Sequence, residues 1–290
     1  MEVIKLKYKS LAVFFAVLAA VLYAINIPCS KLLFNNVGEV MMAAFLYFGA
    51  GVGMIVMSLF KSDRNEERLV KEDLPYTIAM VVLDIIAPIL LMFGLNLSNP
   101  ENVSLLNNFE IVATAVIAYI IFKEHISLKL TLAIILVTIA CGILSFKNLN
   151  AFKFSSGSIL VLLASTVWGF ENNCTRKISH KDPLQIVMIK GIFSGLGSFI
   201  IALIVQEKIP ESKYIVLVML IGFVSYGLSI YFYVKAQRVL GAAKTSTYYA
   251  IAPFVGGLFS LVIFRTLPGI SFYVALVFMG GGTYLAGKDI

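Results

Sequence analysis

Histidine is almost missing: His125 and His180 are the only two in 290 residues. Both are predicted in loops on the cytoplasmic side. An enzyme built on a Ser–His or Cys–His pair, or on a histidine metal cluster, therefore lacks its parts. Charge is scarce as well, at 13% of residues against about 25% in ordinary soluble domains. Cysteine is limited to Cys29, Cys141 and Cys174, all in apolar runs and without zinc or disulfide spacing. They read as small buried residues. No segment between the apolar runs is long enough for a soluble domain. After Lys5, Lys7 and Lys9 comes a long apolar run with no small-residue cleavage site and no polar mature domain. That run reads as a membrane span, not a signal peptide.

What is present is hydrophobic: 60% of the chain, with a net charge of +7. In a chain this apolar the positive balance points to loops facing anionic lipid, not to nucleic acid. A span needs about 20 apolar residues. Runs of that length predict ten helices, over 11–33, 38–60, 74–97, 101–122, 128–147, 156–178, 183–206, 214–235, 243–264 and 269–287. The longest link, Lys61 to Asp73, is densely charged and belongs in water. With these spans sixteen Lys and Arg fall on the N-terminal side and six on the other, and Lys190 lies inside helix 7. The positive side is cytoplasmic, so a multi-pass protein of the cell membrane with both termini cytoplasmic is expected.

The segment from Leu18 to Lys31 returns as Leu163 to Arg176, 145 residues later, which is half the chain. Tyr23 pairs with Trp168, Asn26 with Glu171, Cys29 with Cys174, Ser30 with Thr175 and Lys31 with Arg176. A repeat at half length indicates two copies of one unit, here residues 1–147 and 148–290. Five helices per copy is an odd number, so the second copy must enter the membrane from the opposite side. The expected fold is an all-α membrane protein of ten transmembrane helices in two inverted five-helix repeats. In such a construction the binding site lies near the midplane between the repeats.

At this point the sequence resembles the drug/metabolite transporter superfamily, EamA type. The resemblance covers essentially the whole chain. It is carried by Lys31 closing helix 1, Phe122-Lys123-Glu124, Gly142, Trp168-Gly169 and the run Thr245 to Pro253. It implies secondary transport of a metabolite, amino acid or drug. Three departures stand out: Glu110 where the family usually has proline, Tyr23-Ala24 in place of Trp-Gly, and Phe264-Arg265-Thr266 without a glutamate. Glu110 matters most, because it sets an acid at the expected substrate level.

Four ionisable residues sit well inside helices: Asp84, Glu110, Glu171 and Lys190. Each should face a partner or a water-filled cavity. At a rise of about 1.5 Å per residue, Asp84 and Glu110 both lie near mid-membrane. If they face each other they cannot both ionise cheaply, and the pair would hold a proton or a cation. Asn107, Glu110 and Thr114 share one helix face, with Asn108 beside it. Glu171 and Lys190 are expected at equal depth on antiparallel neighbours, as a structural ion pair or a gate, with Lys190 snorkelling to the surface as the third reading. Trp168, Glu171 and Thr175 share a face, as do Tyr23, Asn26 and Ser30. Aromatics beside carboxylates are the ingredients of a cation site, to which Tyr47, Tyr226, Tyr248 and Tyr249 could add. Gly49, Gly51, Gly53, Gly191, Gly195 and Gly197 read as surfaces for close packing and rocking. Gly280-Gly281-Gly282 suggests close packing, with a homodimer contact as one reading.

The reading is a secondary active transporter of a small cationic or zwitterionic metabolite, working by alternating access and with proton coupling as an option. Glu110 and Asp84 are the main ligands, and Asn107, Trp168, Glu171, Asn172, Tyr23 and Asn26 shape the pocket. No metal or cofactor is implied. The competing readings are an amino-acid or drug exporter in which the acids are structural, a channel, and an intramembrane enzyme.

Overall fold

The computed structural model describes residues 2–60, 66–123, 127–148, 153–265 and 268–287. Glu124, His125 and Thr266 lie outside the described residues, as do Lys61, Arg64 and Lys288 of the charge count.

Long apolar runs with short polar links give a chain of helices. The first half holds α1 (Glu2–Ala24), α2 (Asn26–Leu33), α3 (Glu39–Phe60), α4 (Leu74–Asn96), α5 (Pro100–Leu106), α6 (Phe109–Phe122) and α7 (Leu128–Ser145). The second holds α8 (Ser156–Ile178), α9 (Pro183–Ile189), α10 (Gly195–Ile204), α11 (Ser212–Gly222), α12 (Ser229–Leu240), α13 (Ala242–Tyr249), α14 (Ala252–Phe264) and α15 (Ile270–Gly287). Between α7 and α8, Phe146–Asn148 pairs antiparallel with Lys153–Phe154 in a two-stranded ladder.

Among the described residues six helical stretches are long and apolar enough to cross a membrane: Ser10–Leu33, Glu39–Phe60, Lys71–Asn96, Pro100–Ile121, Pro183–Ile204 and Ser212–Leu240. Three shorter apolar helices are Thr131–Leu144, Ala252–Phe264 and Ile270–Leu285. α8 has the length of a span but not its composition, because its second half carries Glu171, Asn172, Asn173, Thr175, Arg176 and Lys177. The protein is an all-α, multi-pass membrane protein.

The expected helices are less regular than their sequence period implies. Three are broken, between α1 and α2, α5 and α6, and α13 and α14. Two breaks follow from proline, which has no N–H to donate to the carbonyl four residues back. Pro28 releases Ala24 and Pro253 releases Tyr249, the last residues of α1 and α13. The third break falls at Asn107 and Asn108, just before Glu110. Asparagine side chains compete with the helical backbone for hydrogen bonds. Two further stretches widen into π-helix, Lys190–Ser194 and Phe223–Leu228. Single-turn π segments are common at functional sites.

Helices pair across the two halves. α4 lies on α8 and α1 on α12, while α6 lies on α8 and α1 on α13 and α14. α7 pairs with α15, and α5 with α14. α3 crosses the π segment after α9 backbone to backbone: a Cβ on Gly191 would collide with the main chain of Gly51. Gly282 fits α15 onto α7, where a Cβ would meet Val137 and the Ala133 carbonyl.

Charged contacts close both ends of α3. At its start, Glu207 accepts from the N–H groups of Val40 and Met41 at 3.0 and 2.8 Å, which suits the positive end of a helix. Beside it Lys31 donates to the carbonyls of Leu95, Asn96 and Ser98 at the end of α4. At the other end Arg238 donates to Glu66 and to the carbonyls of Ser179 and Lys181, and Lys181 contacts Glu67 and Asp73.

Candidate functional site

α8 carries the most polar buried face of the fold and packs against both α4 and α6. That placement decides where the four intramembrane charges go. The π turn after α9 begins at Lys190 and points its side chain at α8. Its Nζ donates to Glu171 Oε1 at 2.5 Å and lies 3.0 Å from Asp84 Oδ2. Lys190 thus bridges the two carboxylates, with the Asp84 contact the less well directed of the two. Tyr47 Oη donates to the other oxygen, Asp84 Oδ1, at 2.8 Å. Thr175 Oγ1 donates to Glu171 from one turn along α8. All three charged residues are buried, Asp84 to 1% exposure. Lys190 does not snorkel.

Asp84 and Glu110 are therefore not each other's partner. Asp84 is held by α3 and the π turn after α9, and Glu110 by α8. Glu110 accepts from Asn172 Nδ2 at 2.6 Å, and Asn172 also reaches Thr114 at 3.4 Å. Among the described residues no lysine or arginine pairs with Glu110. Asn173 stitches α8 to α6 by donating to the Thr114 and Gly169 carbonyls.

These groups line one cavity of about 50 Å³, with Asp84, Glu110, Glu171 and Lys190 all in its wall. That is room for about four water-sized groups. Rings make up much of the rest. Tyr47 and Tyr226 lie 4.9 Å apart, Tyr226 and Tyr23 5.9 Å, Tyr23 and Tyr249 5.7 Å, and Tyr249 and Tyr233 5.0 Å. Trp168 stands edge-on to Tyr23 at 6.4 Å. A smaller space of about 10 Å³ opens at two of the helix breaks, lined by Asn107, Asn108, Ser246, Ala250 and Pro253. It shares Tyr23, Glu110 and Tyr249 with the main cavity.

Of the sequence-predicted residues, Tyr23, Asp84, Glu110, Trp168, Glu171, Asn172 and Lys190 line the main cavity. Asn107 lines the smaller space, donating to Tyr23 Oη at 3.2 Å and accepting from Ser165 at 3.3 Å. Asn26 stands behind the wall and donates to Tyr226 Oη at 3.4 Å. Tyr248 goes elsewhere, against Ala12, Ala16, Ala236 and Leu240. Sequence reading missed Ser229, Ile230 and Tyr233. The spacing of Tyr226, Ser229 and Tyr233, at i, i+3 and i+7, was the available signal.

A multi-pass bundle with charged groups gathered around a central aromatic cavity defines a membrane transporter. The EamA-like transporter family matches the chain twice, over residues 10–146 and 155–287, and the chain belongs to that family. An uncharacterized transporter of Methanothermobacter thermautotrophicus is 24% identical over 268 residues, covering 85% of this chain and 77% of its own. The uncharacterized transporter YyaM of Bacillus subtilis is 21% identical over 232 residues, covering 76% and 75%. A crystal structure matches with a TM-score of 0.74 over 96% of both chains at 13% identity, which bears on the fold alone.

Proposed function

We propose that the protein is a secondary active transporter of a small cationic or zwitterionic metabolite. In this reading ten spans form two inverted repeats, residues 1–147 and 148–290, with both termini cytoplasmic. The cavity between the repeats faces each side of the membrane in turn. The mirrored helix pairings support it, since α4 on α8 and α1 on α12 exchange when the halves are swapped. So does the closure of both ends of α3 by contacts that can break and reform, those of Glu207 at one end and Arg238 at the other.

The observation that carries the cation is Glu110. It is a carboxylate in an aromatic cavity whose one hydrogen-bond partner, Asn172, is neutral. A carboxylate at this depth in the membrane needs a counter-charge, and ring faces attract ammonium groups. A cargo cation supplies the charge when loaded, and a proton would do so on the return. Uptake into proteoliposomes tests this. With Glu110→Gln, transport of small organic cations should fall by about a hundredfold, the effect of losing a charge-assisted hydrogen bond of about 3 kcal/mol. Unchanged cation uptake would remove Glu110 from the site. The Lys190 contacts favour a second reading, a neutral amino-acid exporter in which the acids are structural. Glu110→Gln would then leave amino-acid uptake intact.

A further inference from the structure

The cavity carries more negative charge than its own lysine balances. Asp84, Glu110 and Glu171 face one Lys190, a formal charge of −2. Two acceptors are left for a guest. Lys190 divides its one charge between Glu171 Oε1 and Asp84 Oδ2, at 2.5 and 3.0 Å. Among the described residues Glu110, on a different helix, has only the amide of Asn172. Between the two acids runs the ring wall of Tyr47, Tyr226 and Tyr23.

On the cation reading above, we propose that the cargo is a short dication, an aliphatic diamine or an amine bearing a guanidinium. One cationic nitrogen sits at Glu110 and the other donates to Asp84 Oδ2 beside Lys190. The methylene body lies along the tyrosine rings. Two positive charges bring the lining to neutrality, which a buried site favours strongly. The size of the cavity, about four water-sized groups, keeps the chain short. A single-charged amine would leave one carboxylate unbalanced.

Trp168 is the only tryptophan of the chain and lines the cavity, so its emission reports binding at this site. The full-length protein in lipid nanodiscs is titrated with 1,4-diaminobutane and with n-butylamine, which differ by one charge at equal chain length. Melting temperature is recorded with each ligand as a second readout. Diaminobutane should bind about tenfold tighter or more, the effect of one additional charge-assisted hydrogen bond. In Asp84→Asn that preference should fall towards one. Gel filtration checks the fold of the variant, and the wild-type comparison stands without it. Equal affinity for the two amines would overturn the dication and leave a monocation carrier standing. A preference that survives Asp84→Asn would overturn the placement at Asp84. If neither amine alters emission or melting temperature, the cation reading falls with it.

Discussion

Two corresponding trios hold the two sides of the cavity, and only one is charged. Asn26, Tyr47 and Tyr226 match Glu171, Lys190 and Asp84 at separations of 145, 143 and 142 residues. In the first trio Asn26 donates to Tyr226, and the rings of Tyr47 and Tyr226 lie 4.9 Å apart. In the second Lys190 bonds to Glu171 and touches Asp84. Even a detail is shared: Ser30 donates to Asn26 Oδ1 from four residues on, as Thr175 does to Glu171. The same helix geometry is thus satisfied without charge in one of the two trios, each of which draws on both repeats. Joining these helices does not require ions, and buried ion pairs are in any case weak contributors to stability. Their presence in one trio is what the proposed cargo site would account for.

The largest effect expected from breaking this contrast is at Lys190. Lys190→Met leaves Asp84 and Glu171 buried without their cation and should cost about 3–5 kcal/mol of stability. Thermal unfolding in detergent would read it as a large drop in melting temperature. Neutralising the whole trio, with Lys190→Met, Asp84→Asn and Glu171→Gln together, should recover most of that loss while transport stays absent. If the triple variant is as unstable as Lys190→Met alone, unpaired charge is not the reason.

Next comes Thr175→Val, which keeps the shape and removes one donor from a buried carboxylate. About 2 kcal/mol is expected, in the range for hydrogen bonds to charged groups. The neutral counterpart is weaker. Tyr226→Phe removes the long 3.4 Å bond from Asn26 and should cost about 1 kcal/mol or less. A Tyr226→Phe loss as large as that at Thr175 would erase the distinction between the trios.

How much of this was legible in the sequence depended on where the partner lay. Glu171 and Lys190 could be matched because antiparallel neighbours joined by a tight turn bring equal distances from that turn to equal depth. Asp84 could not, since its partners Tyr47 and Lys190 come from α3 and the π turn after α9. Those contacts are set by the packing of α8 between helices, which no local period encodes. The breaks at Pro28 and Pro253 follow from missing N–H groups once the prolines are taken at face value. The break at Asn107 and Asn108 carries no such mark. The polar second half of α8, which the sequence reading took as an ordinary span, supplies Trp168, Glu171, Asn172 and Thr175 to the site.

The finest contrast is between the two matched hydroxyls. Ser30→Ala takes a donor from Asn26 Oδ1, a neutral acceptor, at 3.1 Å. It also replaces serine within α2 by the best helix former, a gain of about 0.5 kcal/mol. The lost neutral bond is worth about 0.5–1.5 kcal/mol, so the two changes nearly cancel and the melting temperature should barely move. Thr175→Val has no such offset, because β-branched valine gains nothing in a helix and the acceptor left behind is an anion. A silent Ser30→Ala beside a destabilising Thr175→Val would locate the difference in the charge of residue 171. Equal losses at both positions would mean that the hydroxyls serve the helices themselves, and that Glu171 owes its orientation to Lys190 alone.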